Sequence, residues 1–373
     1  MSREIANYSI ATLRGDGIGP EIVEEAIKVL DAVTATVPRL SLTITEHEAG
    51  VGLYARAGEA LPDATFEAAK AADAILLGAM GLPEVRMPDG TEVQGRIIIR
   101  LRKGLDLYAG VRPIKLYPGI TPTVGGDAPV DLVIVRESTE GLFAAFGGGT
   151  EIDDQVVGDT MLVSRAGTER VSRYAFEVAR TRAGRPLDGE HLVTCVDKAN
   201  IFRSLAFFRK VFTEVAQREY ASTRYEYALI DALSLAILQQ PQAYDVLVTE
   251  NMFGDILSDL AAALSGGLGM APSGDIGDEH AMFQPSHGSA PSIAGKGIAN
   301  PLATILSAAM MLDWLGNRHD DDAARRGAAL IDSAVATVTG SGVGTPDNGG
   351  NSTTSEVGDA VAEAVRAATV SGD

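Results

Sequence analysis

Residues 9–33 read SIATLRGDGIGPEIVEEAIKVLDAV, and this stretch decides the fold class. Its first five residues predict a short strand, and residues 21–33 carry the apolar spacing of a helix. Between them, glycines allow a tight turn, and Pro20 suits the start of a helix. The glycine spacing differs from the dinucleotide-binding fingerprint, because Pro20 stands where that motif has its third glycine. The stretch is therefore a strand, a tight turn and a helix.

The same alternation continues along the chain and predicts an α/β fold. Strand-like runs at residues 40–46 and 74–77 flank a helix-like run at 62–72. This order is typical of a mostly parallel sheet flanked by helices. The pattern weakens at residues 141–170, where glycines and polar residues indicate an excursion such as a β-arm.

Composition restricts the partners that the protein can have. The 373 residues include 50 acidic and 31 basic side chains, so the net charge is -19. Such a surface repels nucleic acid and anionic membranes, and an acidic substrate must meet a local cluster of arginines. The single cysteine excludes a disulfide framework within the chain. No secretory signal or membrane span is recognisable, so we expect a cytoplasmic protein without nucleic-acid or membrane partners.

Three arginines follow apolar runs in this acidic chain. Arg102 ends a helix-like run, Arg112 lies in a strand-like one, and Arg136 follows the apolar residues 132–135. The carboxyl end of a buried strand is where α/β proteins place ligands. Arginine grips carboxylates through two parallel hydrogen bonds. A single arginine is commonly a surface ion-pair partner, but the three together indicate a carboxylate-binding site.

Residues 249–259, TENMFGDILSD, carry two acids four positions apart at the start of a predicted helix. Asp255 and Asp259 share one helix face, where like charges repel, so a divalent cation such as Mg²⁺ fits between them. Favourable interaction with the helix dipole is the alternative explanation. Lys198 and Asp231 follow other predicted strands. Lys198 is a candidate base, and Asp231 is either a third metal ligand or a cap.

Five motifs together resemble one family, the metal-dependent β-decarboxylating dehydrogenases of the isocitrate/isopropylmalate type. The resemblance covers nearly the whole chain, and the combination is specific although each motif alone is weak. The motifs are GDGIGPE at 15–21, LRK…DLYA…VRP at 101–113, DKAN at 197–200, ENMFGDILSD at 250–259, and the HGSAP loop from 287 to 300.

The resemblance implies a two-domain fold with a cofactor site unlike the Rossmann type. Residues 1–107 and 267–373 would form the large cofactor-side domain, and 108–266 the small domain with the β-arm and dimer-forming helices. It also implies a homodimer with shared active sites, in which Lys198 and Asp231 come from the neighbouring subunit.

The resemblance further implies the roles of individual residues. Asp231, Asp255 and Asp259 would hold Mg²⁺ or Mn²⁺, while Lys198, directly or through Asp231, takes the hydroxyl proton of a malate. The substrate-binding residues implied are Arg102, Arg112, Arg136, Ile98, Ile99 and Asn200. The cofactor-binding residues implied are His287, Gly288, Ser289, Ala290, Pro291, Ser292, Ile293 and Asn300.

Three positions depart from the family pattern. Phe143 replaces the tyrosine that protonates the enolate, and Gln284 replaces a common glutamate. Ser292 stands where NAD-preferring relatives carry an aspartate. We expect NAD as the cofactor, since no basic residue occupies 292 or 293, with NADP as the alternative because Lys296 is near.

The residues before Arg102 bear on the substrate. Ile98 and Ile99 would form an apolar patch suited to the isopropyl group of 3-isopropylmalate, although Arg96 and Arg100 leave a third carboxylate open. The alternatives are a D-malate/tartrate, homoisocitrate or isocitrate dehydrogenase. A non-catalytic regulatory subunit is a further alternative because of Phe143, while the complete base and metal residues oppose it.

Overall fold

The computed structural model describes residues 6–124, 126 and 128–368. It contains a ten-stranded sheet in the order β2-β1-β3-β12-β11-β4-β5-β10-β8-β9 and a separate hairpin of β6 and β7. The strands are β1 (Ala6–Leu13), β2 (Leu40–Glu46), β3 (Ala74–Leu77), β4 (Ala109–Lys115), β5 (Asp131–Glu137), β6 (Thr150–Ile152), β7 (Val156–Gly158), β8 (Leu192–Asp197), β9 (Arg224–Leu229), β10 (Val246–Thr249), β11 (Pro272–Ile276) and β12 (Ala281–Pro285).

Helices cover both faces of the large sheet. Those in the described residues are α1 (Gly19–Thr36), α2 (Val51–Ala57), α3 (Asp63–Ala71), α4 (Val93–Gly104), α5 (Arg165–Thr181), α6 (Arg203–Glu219), α7 (Ile230–Gln239), α8 (Asn251–Ala262), α9 (Leu302–His319), α10 (Asp322–Gly340) and α11 (Thr354–Ala367). Helices α1, α5, α6, α9, α10 and α11 share one apolar core. Helices α3 and α4, and separately α7 and α8, pack on the opposite side of alternating strand residues.

The sheet confirms the predicted α/β class. Most neighbouring strands are parallel, whereas β11 pairs antiparallel with both β12 and β4, and β4 pairs antiparallel with β5. Strands from residues 1–107 and 267–373 fill one half of the sheet, and strands from 108–266 fill the other. This order agrees with the predicted division into two domains, which stays a prediction. Residues 1–5, 125, 127 and 369–373 of those ranges lie outside the described part.

Two local features refine the sequence interpretation. The hairpin of β6 and β7 falls in the segment where we predicted a β-arm. Asp231 does not end a strand as predicted but lies in the first turn of α7, because the chain turns helical one residue earlier, at Ile230. Within the described residues, none of the helices combines the length and apolarity that a membrane crossing needs.

The turn after β1 is held by a buried carboxylate. Asp16 accepts hydrogen bonds from the backbone N–H groups of Val51, Gly52 and Gly81 at 2.8, 2.7 and 3.0 Å. Gly17 has a φ of 57°, and a Cβ there would lie 2.1 Å from the carbonyl oxygen of Ser289. Glycine is therefore required for the turn to approach the 287–300 loop.

Candidate active site

A cavity of about 440 Å³ lies where the two halves of the sheet meet. Its walls come from α4, β4, β5, the start of α8 and the chain after β12. The lining residues include all three predicted arginines, and they are Ala79, Met80, Glu92, Gln94, Gly95, Ile98, Ile99, Arg102, Arg112, Arg136, Phe143, Phe146, Asp255, Gln284, Pro285, Ser286, His287 and Gly288. The structure therefore brings together residues that are up to 209 positions apart, from Ala79 to Gly288.

Strand register places charged side chains on one face at this junction. Asp275 of β11 pairs with Gly110 of β4, and Gly110 pairs with Arg136 of β5. Arg112 lies two residues beyond Gly110 and so shares its face. A Cβ at Gly110 would stand 2.6 Å from Ser138 Oγ and 3.3 Å from Asp275 Oδ1. Because Gly110 has no side chain, the space between the side chains of Asp275 and Arg136 stays open.

Asp275 is the buried counter-ion of the arginines. Its carboxylate is fully buried and accepts a hydrogen bond from Arg102 Nη2 at 3.2 Å, with Arg112 Nη2 3.8 Å away. Gln284 Nε2 donates to the same carboxylate at 2.9 Å. Arg102 Nε is also buried, and it has no hydrogen-bond acceptor among the described residues. A buried donor without a partner is costly, so it indicates the place of a ligand acceptor.

Arg136 is oriented by the start of α8. Its Nε donates to Asn251 Oδ1 at 2.8 Å, and its Nη1 contacts the Asp255 carboxylate. Gly254 permits this contact, because a Cβ there would lie 2.7 Å from Arg136 Cβ. The Glu250 side chain caps the helix by accepting from the N–H groups of residues 252 and 253. The cap and the glycine thus fix the helix against the arginine.

Burial and charge crowding act together on these side chains. Burial lowers the pKa of Arg136 to about 9 and lowers that of Arg112, and the neighbouring arginine charges act in the same direction. For Asp275, burial favours the neutral form, but the arginines outweigh it and lower its pKa. Three buried guanidinium groups against one buried carboxylate leave an excess of positive charge. An anionic ligand would offset that excess.

The predicted metal-binding acids lie beside the arginines. The Asp255 side chain is 51% exposed and lines the cavity. Asp259 lies one helical turn further on, where partial loss of hydration and the charge of Asp255 raise its pKa. Two carboxylates that repel each other fit a hard divalent cation. Within the described residues, however, no group of three His, Cys, Asp or Glu side chains can hold a metal ion.

Lys198 and Asp231 form a separate pair. Lys198 Nζ lies 2.7 Å from Asp231 Oδ1, and this hydrogen bond lowers the pKa of Asp231. Within the described part of one chain, Asp231 does not form a metal-binding group with Asp255 and Asp259. Asn200 is exposed in the turn that follows β8. That separation fits the expectation that Lys198 and Asp231 serve the site of another subunit, which a single chain leaves as a prediction.

Apolar side chains form one part of the cavity wall. Ile98 and Ile99 line the cavity, and the Phe143 ring lies 5.1 Å from the Arg136 guanidinium carbon. Arg96 instead pairs with Asp89 at 3.1 Å, and Arg100 donates to the Leu61 carbonyl oxygen at 2.7 Å. Neither of these two arginines lines the cavity.

The predicted cofactor loop borders the same cavity. His287 and Gly288 line it, and burial lowers the pKa of His287, so that imidazole is neutral at pH 7. The Ser289 hydroxyl donates a hydrogen bond to the carbonyl oxygen of Gly81, which fixes the loop. The next residue, Ala290, has a φ of 40°. Gly288, Pro291 and Ser292 of the loop are exposed. Ile293 is partly buried and packs against the apolar cluster of Ile18, Ile22, Ala79 and Ala299.

Asn300 connects the end of that loop to the chain after α10. Its Nδ2 donates to Asp347 Oδ2 at 3.1 Å, and its Oδ1 accepts from the Leu302 N–H at 3.0 Å. Next to Asp347, both side-chain polar atoms of Asn348 are buried without a partner among the described residues. Unpaired buried amide atoms suit a hydrogen-bonding ligand, so the residues present fit a cofactor here.

Two residues of this region are missed by reasoning from the sequence. Asp275 lies in a glycine-rich stretch, where a lone acid between apolar residues is the only available signal. Asn348 lies in a polar turn at residues 340–352 that shows no chemical motif. Both become visible only when burial and missing partners are known.

Known proteins match the chain over nearly its whole length. The model of the isocitrate/isopropylmalate dehydrogenase family matches residues 9–361. A 3-isopropylmalate/3-methylmalate dehydrogenase of Methanocaldococcus jannaschii is 43% identical, over 96% of this chain and 99% of that protein. A homoisocitrate dehydrogenase of the same organism is 40% identical, over 96% and 97%. An isocitrate dehydrogenase structure from Methylococcus capsulatus superposes with a TM-score of 0.83 at 38% identity, over 96% and 99%.

The pairing of Asp255 and Asp259 predicts a direct loss of metal affinity on substitution. We expect Asp259→Asn to weaken Mn²⁺ binding by about tenfold or more, because one ligand charge is removed. Isothermal titration calorimetry measures the effect. Asp313→Asn is the matched control, since Asp313 is another helical aspartate whose pKa is raised by partial loss of hydration. Equal Mn²⁺ affinity in the two variants would contradict the assignment.

Proposed function

The chain belongs to the isocitrate/isopropylmalate dehydrogenase family, and on that premise we propose that it oxidatively decarboxylates a 3-substituted malate, namely 3-isopropylmalate. The reaction uses NAD and Mg²⁺ or Mn²⁺ and yields the 2-oxo acid, CO₂ and NADH. One relative is named for 3-isopropylmalate and 3-methylmalate, which agrees with a malate that carries an alkyl substituent.

The observation that carries the proposal is the arginine cluster beside two acids. Arg102, Arg112 and Arg136 are buried around one cavity, and Asp255 lines its edge. Guanidinium groups hold carboxylates, and carboxylates hold a divalent cation. A dicarboxylic 2-hydroxy acid is the small molecule that satisfies both parts together.

The protein's own groups can then perform the proton chemistry. Lys198, hydrogen-bonded to Asp231, takes the hydroxyl proton directly or through that carboxylate. NAD, when bound, would accept the hydride from C2. The arginines hold the malate carboxylates in place while the resulting β-keto acid loses CO₂. Water supplies the proton that converts the resulting enolate into the 2-oxo acid, because Phe143 has no proton to donate. When bound, a divalent ion would supply Lewis acidity toward the substrate oxygens, with Asp231, Asp255 and Asp259 as its ligands.

The apolar wall favours an alkyl substituent over a third carboxylate. Ile98 and Ile99 line the cavity, whereas Arg96 and Arg100 make their contacts outside it. A carboxylate placed against the isoleucines would lose hydration without gaining a cationic partner. This contrast supports isopropylmalate over homoisocitrate or isocitrate.

NAD is the proposed cofactor. Ser292 is exposed and carries no charge for a 2′-phosphate, while Lys296 is the nearest cationic side chain in the loop sequence. A 2′-phosphate needs a basic partner at the ribose, and neither 292 nor 293 supplies one. Comparing NAD with NADP at equal concentration under the same assay distinguishes the two cofactors.

A substrate panel tests the function directly. The purified chain is assayed with Mn²⁺, each cofactor, and 3-isopropylmalate, D-malate, tartrate, isocitrate and homoisocitrate. We expect NADH and CO₂ in equal amounts, with the highest kcat/KM for 3-isopropylmalate. A higher kcat/KM for another acid would identify a different family member, and inactivity on every acid would favour a regulatory subunit.

Phe143 predicts a slow enolate protonation. Phe143→Tyr should raise turnover by about 10²-fold, because a positioned general acid typically contributes at least this much. Product formation under saturating substrate measures the change. Phe207→Tyr is the control, since Phe207 also lies against an arginine, Arg165, away from the cavity. If Phe143→Tyr leaves turnover unchanged or lower, the assigned role of this position is wrong.

Exposed apolar side chains support the proposed homodimer. Leu235 on α7 and Ile256 on α8 are 59% and 62% exposed on helices that pack together. On the hairpin, Val157 is 73% exposed. Exposed apolar side chains that cluster into a patch commonly mark a protein interface. A partner at α7 and α8 would also bring a second Asp231 toward the acids of α8.

Disrupting that surface should separate the subunits and stop catalysis together. We expect Leu235→Asp to convert a dimer into monomers and to abolish activity, since each site would lose its partner's residues. Sedimentation velocity gives the mass, and NADH formation gives the activity. Leu187→Asp is the matched control, with a leucine 56% exposed in the loop between α5 and β8. A variant Leu235→Asp that stays dimeric and active would exclude this interface.

A further inference from the structure

The arginine cluster contains a feature that the proposed reaction does not itself require. Asp275 is fully buried, it contacts Arg102 and Arg112, and it faces Arg136 across Gly110. Removing one partner of a buried ion pair is costly. The Asp275 carboxylate also neutralises part of the arginine charge, so less positive charge is left for a ligand. The carboxylate therefore acts on the substrate through the arginines and not by contact.

We propose that Asp275 is a specificity-determining positioning residue, which sets the charge of the arginine cluster to match a substrate with two carboxylates. With Asp255 assigned to the predicted metal ion, three guanidinium charges against the one fully buried carboxylate leave two positive charges, which balance the two negative charges of a substituted malate. A tricarboxylate brings one negative charge more than the cluster can neutralise. This inference rests on the proposed function for the identity of the substrate class.

The other acids of the cavity do not play the same part. Asp255 is half-exposed at the rim, beside the predicted metal ligand Asp259, and reaches only Arg136. Glu92 lines the cavity but pairs with Arg86 at 3.4 Å, so its charge is already compensated. Among the described residues that contact the arginines, Asp275 is the acid withdrawn from solvent, where screening is weakest.

Gln284 keeps Asp275 in place. It lies on β12, next to β11, and donates from Nε2 to Asp275 Oδ2 at 2.9 Å. The opposite side of the carboxylate meets Ser138 Oγ at 3.5 Å. The double substitution Asp275→Asn/Gln284→Glu would keep the total charge of this pair and move the negative charge from one side chain to the other. The double variant therefore distinguishes the effect of the total charge from the effect of its exact position.

The test compares the binding of a dicarboxylate and a tricarboxylate. Isothermal titration calorimetry with 3-isopropylmalate and with isocitrate, in Mg²⁺ buffer, gives the ratio of the two Kd values. We expect Asp275→Asn to shift that ratio toward isocitrate by about tenfold or more, because the added positive charge attracts the larger anion more strongly. Asp275→Asn/Gln284→Glu should return the ratio toward the wild-type value. Asp332→Asn, an aspartate paired with Lys115 away from the cavity, should not change it.

The outcomes separate this inference from the proposed function. A folded Asp275→Asn with an unchanged ratio overturns the inference, as does a wild-type chain that binds neither anion. Selective binding without turnover would instead refute the proposed reaction and leave the charge assignment standing. If Asp275→Asn does not fold, Gln284→Glu alone decides, since an added carboxylate should weaken isocitrate binding more than isopropylmalate binding. An equal effect on both ligands would then overturn the inference.

Discussion

The site depends on three guanidinium groups that are buried around one buried carboxylate. Burying charge is costly unless it is paired. Here the strand register brings three guanidinium groups to one buried carboxylate, so their pairing is incomplete. Asp275 compensates part of the charge of Arg102 and Arg112, while Asn251 and Asp255 orient Arg136. What remains is a positive cavity in which Arg102 Nε has no acceptor among residues 6–124, 126 and 128–368. The chain is thus organised to receive an anion at this point.

The sheet topology explains how distant residues reach this cluster. The antiparallel pairing of β11 with β4 joins the two halves of the sheet, and β4 pairs antiparallel with β5 on the other side. These two pairings align Asp275, Gly110 and Arg136 in one row, which explains why the junction needs a glycine. Helix α8 then begins after β10, next to β5, and brings Asp255 to the same edge.

Much of the fold and part of the site could be predicted from the sequence. Periodicity located β3 at residues 74–77 and β2 at 40–46 with their bounds, because apolar runs and turn residues are local signals. The arginines could be selected since each follows an apolar run. Asp275 could not, because its importance comes from burial among arginines that lie 139 to 173 positions away. The partner of Asp231 is likewise a property of assembly, not of local sequence.

A structure of the chain with 3-isopropylmalate and Mn²⁺ tests the account most directly. We predict the malate carboxylates on Arg102, Arg112 and Arg136, the isopropyl group against Ile98 and Ile99, and Mn²⁺ between Asp255 and Asp259 of one subunit and Asp231 of the other. A ligand bound away from the arginines, or a metal ion held without Asp255 and Asp259, would contradict it.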